Sequence, residues 1–65
     1  MENKASLIVM SHLSDVQSGM LDKKETNNRI NFVKWIMIQT NNDLNKDIDV
    51  DKIWEEFTAT RFYKQ

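Results

Sequence analysis

INFVKWIMI, residues 30–38, is the most apolar run in this 65-residue chain, and its conformation decides the fold. Wound as a helix at about 100° per residue, Phe32, Ile36, Val33, Met37 and Ile30 fall in one arc of roughly 160°. An arc that wide faces two neighbouring helices. Trp35 and Ile38 fall outside it, so the helix either sits at the centre of its own fold or lends that side to a partner. The competing reading is a strand over residues 32–40, FVKWIMIQT, turning at Asn41 and Asn42. Neither side supplies a second strand of matching length, and an isolated strand leaves its backbone unsatisfied. The run is read as a helix.

The flanking residues give this helix its ends. Asp22 is placed to accept a hydrogen bond from the free amides of the first turn, with Glu25 three residues on as in a capping box. Both acids stand at the positive end of the helix dipole. No proline or glycine interrupts the pattern before Asn41 and Asn42, which tolerate the left-handed backbone needed for an exit. The expected span is 23–40.

On the amino-terminal side, Ala5, Val9, Leu13, Val16 and Met20 recur at helical spacing, predicting a helix over about 5–18. Gly19, the one glycine, is its left-handed stop. Leu7 and Ile8 point away from the stripe, either folding back at the chain end or forming a second apolar surface. On the carboxyl-terminal side NNDLNKDI is a connection of ordinary length, with Leu44 tucked under it. Asp49 caps a third helix over about 50–62, and Ile48 and Ile53 flank the cap as a hydrophobic staple. Val50, Ile53, Trp54 and Phe57 form its inner stripe, with Arg61 one turn later. Phe62 and Tyr63 fall off that stripe. The expected architecture is one all-α domain over residues 1–65, a small three-helix bundle with the middle helix central.

Composition narrows function mainly by exclusion. There is no cysteine and one histidine, His12, so neither a disulfide framework nor a histidine-rich or thiolate zinc site is available. Nine basic and ten acidic residues argue against a polyanion binder held by bulk charge. SLIVM near the start is too short for a membrane span or a signal segment. A soluble, cytoplasmic protein is expected. Lysine in excess of arginine, with abundant Asn and Ile, fits an AT-rich bacterial or phage gene.

The acids Asp43, Asp47, Asp49 and Asp51 fit no calcium-loop frame. Starting at Asn45 puts Val50 where the sharp turn needs glycine, and starting at Asp43 or Asp47 puts Trp54 or Thr58 where the loop needs a glutamate. They are read as helix caps and a solvated loop, so no metal site is assigned. His12 lies near Ser11, Ser14 and Asp15, but on a helix these fan out without converging. With no cleft for acid–base work, no catalytic residue and no cofactor are assigned.

The expectation is therefore a non-enzymatic protein-interaction module: an adaptor, an inhibitor or a self-associating homodimer. It would bind a protein partner or itself through apolar residues left outside the core, with Trp35 first, Ile38 next, and Phe62 and Tyr63 after them. The alternative is a small DNA-binding regulator of helix-turn-helix type, with Asn27, Asn28, Asn31 and Lys34 as the face that meets the bases. That reading exposes the most apolar helix of the chain and lacks the glycine usual in such a turn.

Overall fold

The computed structural model describes residues 2–65, with side chains from Asn3 onward. In chain order these form β1 (Glu2–Lys4), α1 (Ala5–Gln17), α2 (Lys23–Gln39), β2 (Asp47–Asp49) and α3 (Val50–Thr58). The protein is mostly helical, with α2 packed against both α1 and α3. The run at residues 30–38 is helical throughout.

Local chemistry sets the helix ends as expected. Asp22 Oδ1 accepts from the Glu25 amide at 2.8 Å, and Asp49 Oδ1 accepts from the Lys52 amide at 3.3 Å. Gly19 takes φ +73°, and Asn41 and Asn42 take φ 55° and 64°. At the end of α2 the Asn42 amide reaches the Met37 carbonyl at 2.8 Å and the Asn41 amide reaches Ile38 at 3.2 Å, the paired bonds that close a helix through left-handed residues.

The all-α expectation needs one correction. Residues 2–4 pair antiparallel with 47–49, in the register Glu2 with Asp49, Asn3 with Ile48 and Lys4 with Asp47. The pairing solves a problem at the start of α1, where Lys4 supplies no side-chain cap. The Ala5 amide instead donates to the Lys46 carbonyl at 2.8 Å and the Ser6 amide to Leu44 at 2.9 Å, so the connection before β2 serves as the cap. Strands of three residues have no alternation long enough to read, and their partners lie far apart in sequence.

The third helix also stops short. It ends at Thr58, not near residue 62, because Thr60 turns its hydroxyl back to the Phe57 carbonyl at 2.6 Å and its amide to the same oxygen at 2.9 Å. The chain then folds across α2. There the buried Asn28 side chain binds both backbone groups of Lys64, donating to its carbonyl and accepting from its amide, each at 2.7 Å. Asn31 Nδ2 donates to the Phe62 carbonyl at 3.0 Å. A side-chain amide presents one donor and one acceptor just as a neighbouring strand would, so the tail is fastened without a sheet.

Ala5, Val9, Phe32, Val33, Ile36, Ile48 and Phe57 form the core, with Ile8, Trp35, Leu44, Val50, Ile53, Trp54 and Tyr63 packed partly buried against it. The buried face of α2 is rotated from the expected arc. It includes Asn28 and Thr40, Trp35 is half-buried, and Met37 lies at the exposed margin. Only the first half of the α1 stripe is covered. Leu13 is exposed and Met20 is 86% exposed, because the nine-residue α3 packs chiefly on α2 and β2 and does not extend over the end of α1.

Replacing Asn28 with Ala removes both bonds to Lys64 and leaves that backbone unpaired, at an expected cost of about 1–3 kcal/mol in urea unfolding. The Lys64 amide should also lose its protection from hydrogen exchange. Unchanged protection at Lys64 would show that the clamp does not hold the tail.

Candidate interaction site

Turning the tail back across α2 places Phe62 beside Trp35, with ring centres 6.2 Å apart. Trp35 lies between this ring and the core ring of Phe57, 6.3 Å away. One side of the indole is therefore core. The other side lines a shallow groove of about 120 Å³ with Asn31, Lys34, Ile38 and Phe62. Ile38 is 67% exposed and Phe62 52% exposed, so the apolar walls face water.

Trp35 itself carries a cost. The indole Nε1–H of Trp35 is buried and has no acceptor among the described residues. A buried donor without a partner destabilises by about 1–3 kcal/mol, so its retention calls for an explanation.

Of the four residues expected to bind a partner, Trp35, Ile38 and Phe62 come together here and Tyr63 does not. Tyr63 packs edge-on to Trp54 and to Phe57, both at 5.8 Å, and does not line the groove. The chain turns here, with the Tyr63 amide reaching the Thr60 carbonyl at 3.4 Å, and the two neighbours enter different surroundings. Helical spacing over 50–62 hides that turn, because it assigns both residues to one helix end.

A second constellation joins α1 to α2. Arg29 Nη1 lies 2.9 Å from His12 Nδ1 and 3.1 Å from Asp15 Oδ2. A guanidinium only donates, so Nδ1 is the acceptor and the imidazole carries its proton on Nε2. The ring is wedged against Phe32, edge-on at 4.9 Å, and burial holds its pKa below the ordinary 6.5. The nearby Arg29 charge pushes the same way, and Asp15 opposes both. Sequence reasoning left His12 and Asp15 one helical turn apart with nothing joining them. The joining residue, Arg29, lies on another helix. A cavity of about 240 Å³ beside it is lined by His12, Arg29, Phe32, Val50, Asp51 and Trp54.

The remaining polar candidates have local duties. Asp43 Oδ1 accepts from the Asn45 amide at 3.1 Å and Asp49 caps α3, so the acidic run serves turns and helix ends. Asn28 and Asn31, half of the face proposed to meet DNA bases, are engaged by the chain's own tail. Among the described residues no helix is long and apolar enough to cross a membrane. Comparison with family models, curated proteins and solved structures finds no match.

The His12 environment gives a pH prediction with a definite sign. A histidine whose folded pKa lies below its unfolded value binds protons more readily when unfolded. Its contribution to stability is therefore complete above pH about 6.5 and is lost as the pH falls from there through the lowered folded value. Wild-type stability should decline between pH 7 and 5, and His12→Gln should flatten the decline over that window. An equal slope in the variant would remove His12 as its source.

Proposed function

We propose that this is a non-enzymatic protein-interaction module, an adaptor, inhibitor or self-associating subunit, that works as a three-helix bundle with α2 at its centre. The observation that carries this reading is the convergence of Trp35, Ile38 and Phe62, from a helix and a returning tail, on one exposed apolar groove. The core already has its rings elsewhere: Phe32, Trp54, Phe57 and Tyr63 pack on one another within 6 Å. Ile38 adds nothing to that cluster and stands in water.

Binding would complete the burial of these side chains. Full burial of an exposed side chain of this kind contributes on the order of 1.5–3 kcal/mol; these three are already partly covered and add a share of that, with the partner's own apolar side chains adding the rest. The half-buried Trp35 is already fixed by Phe57 on its inner side, which lowers the ordering cost of using it as an anchor.

The test separates interface from fold. Because Ile38 is exposed, Ile38→Asp should leave thermal and urea stability within about 0.5 kcal/mol of wild type. The same change should weaken self-association, measured by light scattering, or capture of a protein partner, measured by affinity pull-down, by about 2 kcal/mol or more. Association that survives Ile38→Asp unaltered would sink the reading.

A further inference from the structure

The groove is apolar along its walls and one-sided in its polar chemistry. Lys34 stands at its rim, exposed, with no ion pair among the described residues. Among the described residues no carboxylate lines the groove. Phe62 is flanked in sequence by Arg61 and, two positions on, by Lys64. Along α2 the cations Lys23, Lys24, Arg29 and Lys34 outnumber the single acid Glu25. Trp35, which lines the groove, also carries a buried N–H with no acceptor among the described residues. The site therefore offers positive charge at the rim of an apolar slot, and the group still missing is a negative charge.

Resting on the interaction reading above, we infer that the groove takes a segment of a different protein in which an aliphatic or aromatic side chain stands beside a carboxylate. The apolar side chain fills the slot between Trp35, Ile38 and Phe62. The carboxylate pairs with Lys34. A second copy of this chain fits less well. Its own segment of alternating acid and apolar residues, Asp47–Asp51, has Ile48 buried in the core. Among the described residues its most exposed apolar side chain is Met20, and beside it Lys23 and Lys24 offset Asp22 and Glu25, so that segment brings no net negative charge to Lys34.

A displayed library of random twelve-residue peptides panned on the full chain tests this. The enriched sequences should pair an apolar residue with an adjacent Asp or Glu. A synthetic peptide of that consensus should shift the Trp35 indole N–H resonance and leave that of Trp54 in place. Lys34→Glu should weaken its binding about tenfold or more, and exchanging the peptide's acid for lysine should restore binding to that variant. An apolar consensus without acid, or affinity indifferent to Lys34→Glu but lost in Ile38→Asp, would overturn the inference and leave the groove standing. Failure to enrich any sequence would overturn the inference as well. Peptides whose binding ignores Ile38→Asp would take the groove down with it.

Discussion

Phe32, which has no exposed surface, is the point at which the helices meet. His12 from α1 stands edge-on to it at 4.9 Å, Trp54 from α3 does the same at 4.8 Å, and Phe57 tilts against it at 5.2 Å. A chain of 65 residues buries too little surface to tolerate a loosely shared core, so one ring contacted by both partner helices has an outsized effect. The orientation of α2 follows from it. With Phe32 at the bottom, Ile36, Val33 and Asn28 turn inward, Ile38 turns out, and Trp35 is left at the boundary.

The boundary position of Trp35 depends on the tail. An uninterrupted α3 running to residue 62 would carry Phe62 and Tyr63 along the helix axis. Ending it at Thr58 lets the chain reach back over α2, where Asn31 holds the backbone of Phe62 and Asn28 that of Lys64. The same reversal completes the core with Tyr63 and builds an exterior groove with Phe62. Core closure and the candidate interface thus share one returning segment. Trp35 keeps a cost that packing alone does not explain, its unpaired indole N–H, whereas the polar side chains around His12 are mutually satisfied.

The Arg29 link is a tie between helices whose charge is only partly buried. Its ion pair to Asp15 is exposed enough that the pair itself contributes little, about 0–1 kcal/mol. Its larger effect is on the identity of His12. By donating to Nδ1 it selects the neutral ring and one tautomer, which suits a ring packed against Phe32 and Trp54.

Much of the fold could be read from the residues because it depends on neighbours a few positions apart. The caps at Asp22 and Asp49, the left-handed exits at Gly19 and at Asn41 and Asn42, and the helical nature of residues 30–38 are all local matters of hydrogen-bond geometry and backbone sterics. Trp35, Ile38 and Phe62 were also visible as apolar side chains lying off their stripes. Only the tertiary structure decided that residues 2–4 would pair with 47–49, that α3 would stop at Thr58, that Arg29 would join His12 to Asp15, and that Phe62 and Tyr63 would part company. Each of those outcomes rests on a contact between residues distant along the chain, and periodicity within one segment carries no information about what another segment brings to meet it.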